Sequence, residues 1–238
     1  MTELLISEIT LMGSGFCVIG LDRKGQSCCS VRPLPPRGNA WQRFPFIRGD
    51  RLCFRLSFIP AATPHVEDRV STGILGKAGH VPEGDLVAHL RQAELTENLG
   101  SLFNCTVHEN PWGSGVYVEP NAASRSICGC NVQNVRFQVF PDAVRATVLL
   151  PSGEALRDLP LVDRDWNEFI RRVFQETTGA NRLQRINRFF NGVIAERVLN
   201  NSNRFARIGL SRKHYEKHWL MLDSLFPLPQ QNWLHQHP

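Results

Sequence analysis

The chain has 238 residues, 42% hydrophobic and 21% charged, a composition that excludes wholesale disorder and allows one large domain or two of ordinary size. No apolar run reaches the roughly 18–20 residues that span a bilayer, and the acidic start MTELLISEIT lacks the basic region of a secretory signal, so the expectation is a cytoplasmic protein without membrane contact. The net charge of +5 is uneven: residues 1–57 carry +4, 58–163 carry −5 and 164–238 carry +6, and ten of the twelve C-terminal cations are arginine, which suits planar recognition of phosphate or carboxylate.

In chain order, residues 4–11, 16–21 and 28–34 read as three short strands broken by the turns GSG and DRKG, a β-meander. PLPPRGNAWQRFPF reads as a surface loop, because proline removes ladder donors. Residues 51–59 resume a strand with Leu52, Phe54, Leu56 and Phe58 on one face and Arg51 and Arg55 on the other. Residues 60–82 read as loop, 84–98 as a helix with Leu86 and Leu90 inward, and 103–107 and 115–118 as strands around the turn NPWGSG. A boundary is expected between Pro120 and Ser126, dividing the chain into 1–122 and 123–238.

The second half is more regular. Strands at 132–140, 144–150 and 155–161, joined by turns at PDA and PSGE, are followed by a helix capped by Asp163 or Asp165. Its Trp166, Phe169, Ile170, Val173 and Phe174 recur at i, i+3, i+4, i+7 and i+8. A second helix over 182–199 carries Ile186, Phe190, Val193, Ile194 and Val198, and strands at 204–211 and 217–226 close the chain. Three meandering strands, a helical crossover and two closing strands is the order of an OB-type barrel. The expected fold is mainly β with inserted helices (α+β): two OB-like β-barrels, the second with a helical-hairpin crossover before its last two strands.

The cysteines number seven and offer one close pair, Cys128 and Cys130, with no partner pair at zinc-site spacing; they read as reduced small hydrophobes, and no metal or other cofactor is expected.

The stretches SGFCVIGLD, VRPLP, PHVED, LPLVDRDW, RIGLSR and HWLMLDSLFPLP together resemble one family, the prokaryotic dual OB-containing domain proteins. SGFCVIGLD and VRPLP are similar to its paired N-terminal strands and PHVED to a loop motif. LPLVDRDW and then RIGLSR with HWLMLDSLFPLP resemble its strand ends and Trp-bearing last strand. The matches run in order along nearly the whole chain. Two departures stand out: Ser27, Cys28, Cys29 and Ser30 occupy the stretch where the family usually carries a tryptophan, and KHYEKH is a basic insert in the last turn. The resemblance implies two barrels and nucleic-acid binding, without catalytic residues.

Candidate contacts fall in several stretches. The turn SRKHYEKH with its flanks offers Arg207, Arg212, Lys213, Tyr215 and Lys217 beside Trp219, the mixture of phosphate-binding cations and stacking rings that OB barrels use. Arg182, Arg185 and Arg188 share a helix face, and Arg32, Arg51 and Arg55 form a second basic patch. His214 and His218 have metal spacing only on a helix, which the flanking strand signals oppose. Trp41, Phe44 and Phe46 are a candidate interaction loop. His65, Glu67 and Asp68 are the one enzyme-like cluster, able in principle to hold a divalent ion, with an arginine-pinned loop as the simpler reading. The expected function is a non-enzymatic binder of RNA or DNA, single-stranded or structured, acting as subunit or accessory factor of a prokaryotic nucleoprotein assembly that would include protein partners. The alternatives are a module that docks an acidic protein partner and a metal-dependent nuclease.

Overall fold

Five strands form a closed barrel in the N-terminal part of the computed structural model, which describes residues 1–24, 27–59, 63–111, 113–141 and 143–236. They are β1 (Thr2–Met12), β2 (Gly15–Lys24), β3 (Ser27–Leu34), β4 (Asp50–Phe58) and β5 (Asp68–His80), in the order β1-β2-β3-β5-β4. β4 returns antiparallel to β1, and β3 runs parallel to β5, an arrangement consistent with a five-stranded Greek-key barrel of OB type. β5 corrects the expectation of a loop over 60–82 for residues 68–80; 63–67 and 81–82 are loop as expected, and 60–62 lie outside the described residues. The β5 sequence DRVSTGILGKAGH carries three glycines and mostly surface side chains, so it lacks the alternation that marks a strand.

The phase of β1 sets which side chains fill the barrel and which turn toward the C-terminal half. Leu4 and Ile6 point into the barrel, and so does Ile9, which strict alternation would place outside. A register shift against β2 between Ile6 and Glu8 makes the switch, since one extra residue moves every later side chain to the other face. Glu8 therefore leaves the barrel and faces the C-terminal half, still buried. The barrel core is completed by Val18, Val31, Leu52, Phe54 and Phe44, with Trp41 and Phe46 packed against it.

α1 (Glu83–Glu94) lies between the halves: Leu86, Val87 and Leu90 pack with Leu5 and Leu21 on one side and Phe205 and Phe226 on the other. After it come β6 (Leu95–Thr96), β7 (His108–Glu109), β8 (Val116–Val118) and β9 (Ile127–Asn131). No strand forms over 103–107. β10 (Asn134–Val139), β11 (Val144–Leu149) and β12 (Ala155–Pro160) make a three-stranded antiparallel sheet. β13 (Phe205–Leu210) and β14 (His218–Phe226) join the earlier short strands in a six-stranded sheet ordered β6-β9-β13-β14-β8-β7. Strands from residues 95–118 thus belong to the sheet of the C-terminal half, so the expected division at 122/123 falls within the strands of one sheet. The expected turns at Gly25 and Asp142, and Trp112 of NPWGSG, lie outside the described residues.

α2 (Arg164–Glu176) buries all five stripe residues, and Asp163 caps it, accepting from the N–H of Asp165 (2.9 Å) and Trp166 (3.0 Å). α3 (Arg182–Phe189) continues through a π turn (Phe190–Ile194) into α4 (Ala195–Leu199), with Ile186, Phe190, Ile194 and Val198 inward. Among the described residues no helix is long and apolar enough to cross a membrane.

Candidate nucleic-acid interface

β13 and β14 form a hairpin whose tip is the stretch SRKHYEKH. His214 and Lys217 bridge it, and the two central residues, Tyr215 (φ 49°) and Glu216 (φ 58°), are left-handed, as a two-residue type I′ turn demands. That turn is normally built from Asn-Gly, and here two residues with full side chains hold it at a cost of about 1–2 kcal/mol each. The effect is to lift the Tyr215 ring into solvent, 81% exposed. Along β14, His218, Leu220 and Leu222 face inward, which places Lys217, Trp219 and Met221 on the outer face. β8 pairs with that edge, setting Tyr117 opposite Trp219 with ring centres 5.6 Å apart, and His108 of β7 stacks on Tyr117 at 5.3 Å. The Lys217 ammonium lies 3.6 Å from the Tyr117 ring centre and 5.9 Å from that of Trp219, and among the described residues no carboxylate pairs with it. A cationic and aromatic ledge results, assembled from three strands, with Tyr117 buried as its support and Lys217 and Trp219 half-buried above it.

The neighbouring cations are less free. Lys213 is paired with Glu216 (2.8 Å) and Arg212 with Asp68 (2.6 Å). Arg207 departs from the expected patch altogether. It is fully buried, with its Nε 2.5 Å from Glu8 Oε1 and Nη2 donating to Ser30 Oγ at 2.8 Å. Arg32 is buried likewise, donating to His65 Nδ1 (3.1 Å), Asp68 Oδ1 (3.0 Å) and Ser126 Oγ (3.0 Å), while the N–H and hydroxyl of Ser126 both donate to Glu67 at 2.8 Å. His65, Glu67 and Asp68 therefore clasp the barrel to the C-terminal half, with both Asp68 oxygens on arginine and both Glu67 oxygens on Ser126. Among the described residues no group of three or more His, Cys, Asp or Glu is arranged to hold a metal ion. His214 sits on the exposed tip and His218 is buried against His65, so the two do not converge. Burial, with Arg32 and Arg212 nearby, pushes the His65 imidazole down to about 2. Asp223, buried against Gly209 and facing Glu8, Arg32, Arg207 and Asp163, is pushed up to about 7, chiefly by burial. A Cβ on Gly209 would stand 1.9 Å from an Asp223 oxygen, so only glycine fits there.

The remaining expected contacts are dispersed. Arg51 is on the barrel surface paired with Glu3, and Arg55 is exposed. Arg182 donates to the Phe174 carbonyl and covers its ring, Arg185 reaches the Thr178 carbonyl, and Arg188 is exposed. The first two thus serve the end of α2. Trp41, Phe44 and Phe46 correct the interaction-loop expectation: their rings plug the barrel, and Trp41 Nε1 donates to the Pro33 carbonyl (2.8 Å). Tyr117 and His108 are not among the contacts expected from sequence, because nothing local announces that β8 pairs with β14.

Comparison with protein-family models, curated proteins and solved structures finds no match to this chain.

Replacing the tip by Tyr215→Asn/Glu216→Gly should stabilise the fold by about 1–2 kcal/mol through relief of the left-handed strain, since the exposed Lys213–Glu216 pair lost with it is worth little. The same change should weaken oligonucleotide binding. Denaturant midpoints and anisotropy titrations on one preparation check both; a tip that gains no stability would mean the turn is unstrained.

Proposed function

We propose that the chain is a non-enzymatic nucleic-acid-binding protein of two OB-like barrels, of the kind the dual OB-containing family implies, acting as accessory factor in a prokaryotic nucleoprotein assembly. The second barrel is read from a circuit of strands. β9 and β10, two residues apart, serve as one bent first strand, and β10-β11-β12 follows antiparallel. The chain beyond β12 then touches β14 through a parallel bridge, Leu161 to Leu222, with Val162 N–H donating to the Leu222 carbonyl at 3.1 Å. β14 pairs β13, and β13 pairs β9. The parallel contact occupies the place that β3 and β5 hold in the first barrel. On this reading the β13–β14 hairpin joins the fourth and fifth strands, one of the loops with which OB folds bind oligonucleotides.

The observation that carries the function is the ledge: Lys217, with no carboxylate partner among the described residues, over Tyr117 and Trp219 and beside an exposed Tyr215. Tyr117 itself is buried beneath Lys217, so the rings open to a base are the exposed Tyr215 and the half-buried Trp219. A stacked base contributes roughly 1–3 kcal/mol on such a ring, and the cations attract phosphates in a salt-dependent way. Fluorescence anisotropy with single-stranded DNA, single-stranded RNA and duplexes, at low and moderate salt, tests it. Wild type should bind single strands and weaken as salt rises, and Tyr215→Ala/Lys217→Ala should bind at least about tenfold more weakly. Failure of the wild type to bind any of the three removes the reading.

A further inference from the structure

Beside the ledge, a trough of about 750 Å³ runs between the outer face of β10 and β11 and the α3–π–α4 helix. Two features keep it open. Asn191, in the π turn, holds the helix to the edge of β10 by accepting from the Phe137 N–H (2.9 Å) and donating to its carbonyl (2.8 Å). Next to it Gly192 has nothing within 4 Å of where a side chain would stand. π turns inside helices recur at functional sites.

The lining is balanced in charge and rich in neutral hydrogen-bonding groups. Arg145 is paired with Asp158 at 2.9 Å, and Arg136 is offset by Glu196 in the opposite wall. Such a lining does not concentrate phosphate. Arg136 and Gln138 are exposed on β10, and among the described residues neither side chain is engaged in a hydrogen bond or ion pair; the Asn187 side-chain oxygen accepts one bond from Asn191, and among the described residues its amide hydrogens have no acceptor. Carboxamides that donate and accept, beside a guanidinium fork, are the groups that read base edges. The trough also meets the ledge. A side chain on Gly115 (φ 97°) would touch both Arg145 Nη2 and the Trp219 ring within 3.7 Å, so the two surfaces adjoin there.

We infer that the trough reads the base edges of a single strand whose neighbouring nucleotides stack on the ledge, so that binding has a base preference set by Arg136, Gln138 and Asn187. This rests on the reading of the hairpin as a nucleic-acid interface. A single strand is required, because in a duplex the pairing edges are occupied.

The test compares labelled homo-oligonucleotides of the four bases, the salt slope being measured for each. Wild type should prefer its best homopolymer over its worst by about tenfold or more, the scale of one or two base-edge contacts. Gln138→Ala/Asn187→Ala should compress that preference to under about threefold while leaving the salt slope unchanged, since no phosphate contact is lost. Gly192→Met, a neutral side chain grown into the open trough on a helix that gains from losing glycine, should do the same with the fold intact. Lys217→Ala should weaken all homopolymers alike. Equal binding of all homopolymers by the wild type, or an undiminished preference in both trough variants, overturns the inference and leaves the interface standing. Absence of wild-type binding to every oligonucleotide overturns the interface itself, and the inference with it.

Discussion

Arg207→Ala should lower the stability of the fold by about 3–5 kcal/mol, a large part of the 5–15 kcal/mol that a folded domain has to lose. Both members of the Arg207–Glu8 pair are wholly shielded from water. Removing the guanidinium leaves the Glu8 carboxylate inside the protein beside the Ser7 hydroxyl (2.7 Å) and takes away the donor that Ser30 accepts from. The cost comes from stranding a charge rather than from losing an attraction, which separates this prediction from an ordinary salt-bridge argument. Glu8→Gln/Arg207→Met, which removes both charges and keeps similar volume, should recover most of the loss. Arg207→Lys should not, because an ammonium cannot reach Glu8 and Ser30 at once in the geometry of the fork. Urea midpoints followed by tryptophan fluorescence measure all three, with Arg51→Ala on the barrel surface as the control. If the alanine variants at 207 and 51 lose the same stability, the buried pair has no special weight.

The second large effect concerns pH. His65 is neutral in the fold and its imidazole is held down at about 2, against an ordinary 6.5. Between those values the unfolded chain binds a proton that the folded chain refuses, so His65 contributes stability that is complete above pH 6.5 and is lost as pH falls. Asp223 acts oppositely. Its carboxyl is held up at about 7, against an ordinary 3.8, so the folded chain keeps a proton that the unfolded chain releases, and stability is lost as pH rises from about 4 to about 7. Between pH 4 and 6.5 the two slopes oppose one another, so these two contributions should largely cancel in the wild type. Asp223→Asn should expose the histidine slope, with stability rising with pH by on the order of 3 kcal/mol over that window. His65→Gln should expose the aspartate slope, falling by a similar amount. Both groups lie in one buried cluster with Arg32, Arg207, Arg212, Glu8, Asp163 and Cys17, so the test is the opposite sign of the two slopes. Parallel slopes in the two variants would show that another group governs the window.

Periodicity carried the helices. α2 begins within a residue of its expected cap because Asp163 and the Trp166–Phe174 stripe are both local signals. The meander strands were legible for the same reason. β5 was not, because a strand whose side chains mostly face water, with glycine at three positions, has no alternation to show. β13 is the more instructive case. All six of its residues are buried, so it is covered on both faces and reads as an unbroken apolar run. An arginine in the middle of such a run is the signal that Arg207 is buried and paired, yet in sequence it stands close enough to Arg212 and Lys213 to pass for surface charge. The ledge was half legible. Tyr215, Lys217 and Trp219 are neighbours in sequence, whereas Tyr117 and His108 arrive through strand pairing over about a hundred residues, which no local pattern encodes. Trp41, Phe44 and Phe46 have the local look of a surface anchor because proline and arginine surround them, yet the open end of the barrel needs filling.

The threading of β6, β7 and β8 into a sheet with β13 and β14 has a consequence for synthesis. The first barrel has all five of its strands once residue 80 has been made. Glu8 then waits on its outer wall for an arginine 199 residues further on. Counted from residue 80 the wait is about 127 residues, roughly 6–25 s at ordinary elongation rates of about 5–20 residues per second. α1, complete at residue 94, likewise waits for Phe205 and Phe226, and β8, complete at 118, has a bare edge until β14 emerges. The nascent chain therefore holds all five barrel strands before the residues that cover their charged outer flank have been made.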